Sequence, residues 1–167
     1  ALISVSNKSQ LSHLISNLTF PYSPRHTNLF NIYSTGGTYN FIKNKYENSE
    51  NKNNFLYKVS DITEFPEILN GRVKTLHPKI LGGIMYDKED EDHIKDATEH
   101  GIEKIDLVVA NLYPFGNAVK QHKLYKEIIE NIDIGGATMI RAAAKNYKDT
   151  CVLVNPDQYD EYIKRFK

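Results

Sequence analysis

Apolar residues fall along the chain in two alternating patterns. Short, mostly apolar runs stand at residues 2–5, 29–33, 55–59, 105–110 and 151–154. Runs of this length, bounded by polar turns, read as strands covered on both faces. Between them the apolar positions spread to helical spacing, as at Leu11, Leu14, Ile15 and Leu18, then Tyr39, Phe41, Ile42 and Tyr46, and finally Tyr159, Tyr162, Ile163 and Phe166. These predict amphipathic helices, the second opening near Thr38 and the last introduced by Asn155-Pro156-Asp157. Residues 124–130 read as a short helix and 137–146 as a helix of small residues. Five carboxylates within 87–93 read as a solvated helix start, ending at His100-Gly101 where glycine stops it. Strand and helix alternate throughout, which predicts an α/β fold with a mainly parallel sheet. Residues 21–26, with two prolines, read as a loop, and the polar stretch 47–54 as a surface insertion.

One segment breaks both patterns: Gly71-Arg72-Val73-Lys74-Thr75-Leu76-His77-Pro78-Lys79. It reads as a shaped loop that Val73 and Leu76 anchor, presenting Arg72, Lys74 and Thr75 to an anion. A second candidate is Thr35-Gly36-Gly37-Thr38, set between a strand and a helix, where backbone N–H groups face outward. Lys8, with Ser4 and Ser6, ends the first strand and converges on the same anion. Asn111-Leu112-Tyr113-Pro114-Phe115 ends the buried fourth strand, where open α/β sheets place their ligands. The stretch 133–145 puts Arg141 and Lys145 on one face of an alanine-rich helix, with Asp133 before it. Alanines imply a buried helix, so Lys145 pairs with Asp133 either as a structural ion pair or as a proton shuttle.

The totals narrow the function classes. The 167 residues carry 21 basic and 21 acidic side chains, so the chain lacks the footprint of a general nucleic-acid binder. The sole cysteine, Cys151, excludes an internal disulfide and reads as a packed thiol in a reducing, cytoplasmic setting. No apolar run approaches membrane-spanning length. The opening residues form a strand rather than a signal peptide, and the missing initiating Met reads as a trimmed chain or an excised domain. G-x-S-x-G, Walker and G-x-G-x-x-G motifs are absent, as is credible metal-ligand spacing. The residues alone lead to an α/β domain that takes a small anion, with Lys74 and Lys145 as candidate catalysts.

Five stretches then coincide, in order, with one family: residues 2–8, 34–38, 65–79, 111–115 and 132–146. Together they closely resemble the N-terminal IMP cyclohydrolase domain of the bifunctional purine-biosynthesis proteins. The resemblance implies one domain over 1–167, without the transformylase domain, in a methylglyoxal-synthase-like three-layer fold with helices on both faces of the sheet. It implies closure of the formylated aminoimidazole carboxamide ribonucleotide (FAICAR) to IMP and water, with no cofactor or metal. It implies a nucleotide partner, no nucleic-acid polymer or membrane, and a homodimer in the full-length protein. By resemblance Ser6, Lys8, Thr35, Gly36, Gly37, Thr38, Arg72 and Thr75 hold the ribose phosphate. Lys74 and Tyr113 face the formyl oxygen. Asn111, Asp133 and Ile134 grip the base, and Lys145, polarised by Asp133, donates and accepts the proton. Two departures stand out: Asn7 where the family often has Asp, and Tyr147 where it often has His. A noncatalytic ligand-sensing domain of the same fold, as on carbamoyl phosphate synthetases, is the alternative. Methylglyoxal synthase itself is a weaker third, its carboxylate and histidine signatures not being evident.

Overall fold

A parallel sheet cannot be closed by hairpins, so its crossovers must lay helices over both faces. The computed structural model, which describes residues 1–19, 30–47, 55–121 and 124–166, has this arrangement. Strands β1 (Leu2–Val5), β2 (Ile32–Ser34), β3 (Leu56–Lys58), β4 (Leu107–Asn111) and β5 (Cys151–Leu153) are parallel throughout, in the order β3-β2-β1-β4-β5. Central β1 sets Leu2 opposite both Tyr33 and Val108.

Successive strand residues point to opposite faces, and the two cores divide accordingly. Ile3, Val5, Ile32, Leu107 and Val109 pack with α1 (Leu11–Thr19), α2 (Gly36–Tyr46) and α9 (Tyr159–Phe166) through Leu14, Ile15, Ile42, Tyr159 and Ile163. Leu2, Tyr33, Val108 and Ala110 pack with α3 (Val59–Thr63), α4 (Pro78–Met85) and α8 (Ile134–Lys145) through Val59, Ile80, Ile84, Met139, Ala142 and Ala143. The expected three-layer α/β fold is what forms. At Gly83 of α4 a Cβ would lie 2.3 Å from the Glu103 carbonyl oxygen, and the Gly83 carbonyl accepts from the Ile105 amide at 2.9 Å. That glycine lets α4 meet the chain entering β4.

The boundaries differ where local hydrogen bonds outbid the apolar pattern. The strand expected at 29–33 begins only at Ile32, because the Phe30 amide bonds the Leu18 carbonyl at the end of α1; Leu29 lies outside the described residues. The run 55–59 is strand only from Leu56 to Lys58, and Val59 opens α3 once Asp61 accepts from the Lys58 amide at 2.8 Å. The run 105–110 becomes Leu107–Asn111, since Ile105 bonds Gly83 instead of a strand. Helix α2 starts at Gly36 rather than Thr38, and α8 at Ile134 rather than 137, where Asp133 accepts from the Gly136 amide at 2.7 Å.

The acidic run behaves as expected. Asp90 caps α5 (Glu91–Glu99) by accepting from the Asp92 and His93 amides, and Gly101 follows with φ +60°. Helix α7 (Tyr125–Glu130) matches the short helix of the pattern, whereas α6 (Phe115–Lys120) had no signal because Phe115 and Val119 stay exposed. Cys151 is not packed inside: it is exposed at the start of edge strand β5, though its local surroundings still push the thiol pKa up. The expected loop at 21–26 lies outside the described residues, as does all of the insertion at 47–54 except Glu47. Among the described residues, no helix is long and apolar enough to cross a membrane.

Candidate active site

Strand order reverses between β1 and β4. The chain leaves β1 towards β2 and leaves β4 towards β5, so the carboxyl ends of these neighbours part and leave a crevice. A cavity of about 620 Å³ opens there, within the range of small-molecule sites. Ser4 and Val5 from β1, Ser6 just past it and Asn111 from β4 form its floor, with Thr35, Gly37 and Thr38 behind them. Loop residues Arg72, Lys74 and Thr75 close one side, and Tyr113, Glu130 and residues 132–136 the other.

One end of the cavity suits an anion. Thr35 is the N-cap of α2 but makes no side-chain cap, and the first-turn amides at Gly36 and Gly37 have no carbonyl one turn back to bond. Gly36 holds φ +48°, a conformation that favours glycine. A Cβ there would lie 3.5 Å from Lys74 Nζ, so the ammonium sits over the helix start. Thr35 Oγ1 lies 3.3 Å from Ser4 Oγ. Lys8 folds back so that Nζ donates to the Val5 and Ser6 carbonyls, both at 3.4 Å, bonds long enough to yield to a ligand. Thr38 differs from its expected role: its hydroxyl donates to the Val5 carbonyl at 3.0 Å and accepts from the Val5 amide at 3.1 Å. It staples α2 to β1 and leaves the anion to its neighbours.

The other end is acidic and apolar. Helix α8 also points its N-terminus at the cavity, but Asp133 already caps it, so that end holds a carboxylate instead of free amides. Ile132 and Ile134 are exposed beside it, and Tyr113 is 54% exposed at the rim. Asn111 is engaged with the chain itself: Oδ1 accepts from the Asn7 amide at 2.7 Å and Nδ2 donates to the Asn7 carbonyl at 3.0 Å. In this state it braces the Ser6–Lys8 turn rather than presenting its amide to a base, and Asn7 accepts the Ser9 amide without needing the family's charge.

The 71–79 segment divides in two. Thr75, 3% exposed, is its anchor, whereas Val73 and Leu76 are only half-buried. Oγ1 of Thr75 faces α8 so closely that a Cβ on Gly135 would come within 2.6 Å. Pro78 opens α4, and Lys79 is paired with Glu64 at 3.3 Å. Arg72 Nη2 donates to Oε1 of Glu130, the last residue of α7, which spans the two rims of the cavity. Nothing in the sequence pointed to Glu130, which sits 58 residues away on a helix of weak pattern. The glycine pair at the start of α8 was the available signal for the close approach to Thr75.

The expected Asp133–Lys145 couple does not form within one chain. Asp133 stands before the first turn of α8 and Lys145 ends it, and a twelve-residue helix rises about 18 Å. The helix is buried on one face only, through Met139, Ala142 and Ala143, while Arg141 and Lys145 are exposed. Lys145 does not line the cavity. All the other expected site residues line it except Gly36, which borders it. Among the described residues, no group of His, Cys, Asp and Glu is arranged to hold a metal ion.

Known proteins place this arrangement. The chain is 52% identical over its whole length to the bifunctional purine biosynthesis protein PurH of Thermoanaerobacter sp. (strain X514), and 47% to that of Prochlorococcus marinus (strain MIT 9515). It spans about 30% of the length of each. The crystal structure of ForH superposes with a TM-score of 0.75 and 29% identity, covering 98% of this chain and 76% of that one. The MGS-like domain model matches residues 24–138, well over half the chain and most of the elements that build the cavity. On sequence model and fold together, the chain belongs to the MGS-like domain family.

Proposed function

We propose that this chain closes the purine ring of FAICAR, giving IMP and water, as the cyclohydrolase part of a bifunctional purine-biosynthesis enzyme. The observation that carries the reading is the polarity of the cavity. Uncapped amides and Lys8 stand at one end with the Lys74 ammonium over the helix start, Asp133 and Tyr113 stand at the other, and the flexible Lys74 side chain reaches from the first towards the second. A 5′-phosphate fits the first end and a polar heterocycle the second. The whole-length similarity to PurH supports the same assignment.

In the reaction the carboxamide nitrogen forms a bond to the formyl carbon, and the formyl oxygen gains negative charge. Lys74 and the Tyr113 hydroxyl are the donors for that oxygen. One oxygen of Asp133 holds the Gly136 amide, which leaves the other to take the proton from the attacking nitrogen. The former formyl oxygen takes up that proton and a second one from the formamido nitrogen and leaves as water, its C–O bond breaking as the formamido nitrogen forms the C=N bond of the ring. Holding nitrogen and carbon within one cavity supplies much of the rate, since the step is intramolecular once the substrate is folded. Lys145 enters only if a second copy of the chain delivers it, as the homodimer implied by the resemblance would have to do. Ser6, Lys8, Thr35, Gly36, Gly37 and Arg72 take the phosphate, Arg72 after leaving Glu130, with Thr75 as the buried hydroxyl beside it. Asn111 and Ile134 complete the wall at the base.

The second reading is a nucleotide-sensing domain, favoured by one observation: the cavity of a single chain lacks Lys145. Mixing the chain with FAICAR and following IMP absorbance separates the two. Closure above the spontaneous rate supports the enzyme, whereas IMP binding without closure supports the sensor.

A further inference from the structure

We propose that His77 is a positioning residue: as the N-cap of α4 it fixes the loop that carries Lys74 and Thr75 into the cavity. The proposal rests on the functional reading above, and it concerns a residue outside the cavity wall. Histidine is an unusual N-cap, a place that Ser, Thr, Asp and Asn usually fill. Here Nδ1 accepts from the Lys79 amide at 3.2 Å, while the His77 carbonyl accepts from Ile80 and Leu81, both at 3.0 Å. Accepting at Nδ1 leaves the ring proton on Nε2. Pro78 at the first helical position supplies no amide and sets φ for the turn, so the cap rests on the Lys79 amide.

The other end of the loop is strained. Leu69, Asn70 and Gly71 hold φ of +53°, +54° and +81° in succession, and Leu69 leaves its side chain 66% exposed. Non-glycine residues stay in that region only when their surroundings hold them there. A turn of Gly71 and Arg72 amides onto the Ile68 and Leu69 carbonyls, and a bridge between Ile68 and Val73, brace it locally. His77 adds a further restraint, because its ring packs against Phe65, centroids 6.4 Å apart, just upstream of the strained turn. One side chain thus ties the entry of the loop to its exit. Helix α4 is itself fixed in the core by Ile80 and Ile84, so the tie refers Lys74 and Thr75 to the sheet.

Two substitutions separate the parts of this role. His77→Phe keeps a ring for Phe65 and deletes the acceptor, while His77→Asn keeps a good cap and loses the ring. Three quantities are read on each: ring-closure kcat and KM, affinity for inorganic phosphate by 31P NMR, and hydrogen exchange at the Lys79 amide. The expected result for His77→Phe is faster Lys79 exchange, about tenfold weaker phosphate binding and about tenfold lower kcat/KM. His77→Asn, which keeps the cap, is expected to leave Lys79 exchange near wild type, while the lost Phe65 contact lowers phosphate affinity and kcat/KM by only about threefold. A His77→Phe protein with fast Lys79 exchange but wild-type phosphate affinity and kcat/KM would overturn the proposal, as would an Asn variant that rescues nothing. If the wild-type chain closes no ring while His77→Phe still weakens phosphate, the functional reading fails and the positioning role stands.

Discussion

Replacing Gly135 by alanine sets two effects of known size against each other. In a helix, glycine to alanine is favourable by up to about 1 kcal/mol, less in the first turn where Gly135 lies. Against this, the new Cβ would stand 2.6 Å from Thr75 Oγ1, about 0.8 Å inside ordinary contact at 3.4 Å. Thr75 is almost fully buried and β-branched, so it relieves the clash only by changing rotamer or by moving its loop. Overpacking of this kind costs roughly 1–3 kcal/mol, so the clash wins and stability should fall by about 1–2 kcal/mol. The site should suffer more than the fold. A hydrogen bond to a charged ligand contributes about 1.5–3 kcal/mol, so displacing the hydroxyl should raise KM for the nucleotide roughly tenfold or more. Steady-state kinetics of Gly135→Ala, Thr75→Ala and the double variant test this. Because both substitutions remove the same contact, the double variant should be little worse than Thr75→Ala alone. Wild-type KM in Gly135→Ala, or fully additive losses, would show that the Gly135–Thr75 contact does not hold the hydroxyl in place.

Gly83→Ala should behave differently, damaging the fold instead of the site. Its Cβ would meet the Glu103 backbone oxygen at 2.3 Å and Ile105 at 3.2 Å, so a loss of about 3 kcal/mol is expected. Calorimetry should show Tm lowered by roughly 10 °C, and an unchanged Tm would count against the packing described. Glu130→Gln frees Arg72 from an ion pair whose members are 63% and 47% exposed, so the gain is at most about 1 kcal/mol. KM should fall by up to about fivefold, more at low salt; a raised KM would show that Glu130 contacts the ligand instead. Tyr159 is fully buried, its hydroxyl has no hydrogen-bond partner among the described residues, and burial pushes its pKa up to about 12. Tyr159→Phe should therefore be neutral or stabilising by up to about 1 kcal/mol in a denaturant melt, and a clear loss would reveal a partner for the hydroxyl.

The sequence carried what periodicity can carry. Short, mostly apolar runs marked the sheet, and helical spacing marked α1, α2 and α9, because burial on two faces or one leaves those patterns. Strand ends were less legible, since Phe30 and Ile105 are apolar yet bond the ends of helices. At the site, the motifs around Thr35, Lys74 and Asp133 converge on one cavity, as the placement of loops at strand ends predicts. What escaped the sequence was pairing. Asn111 bonds Asn7, Thr38 bonds Val5 and Arg72 bonds Glu130, and none of these partners shares a pattern with its mate. Within one chain Asp133 and Lys145 do not meet, for a simpler reason: twelve helical residues separate groups as surely as they align them.

The most direct measurement is ring closure by the purified chain, followed as IMP absorbance from FAICAR, beside Lys74→Ala. Lys74 lines the cavity at the start of α2, away from the two cores, so its loss should leave the fold intact. Closure above the spontaneous rate is expected in the wild type, with a drop of about a hundredfold or more in a folded Lys74→Ala variant. A wild-type chain that binds IMP yet closes the ring no faster than solution would contradict it.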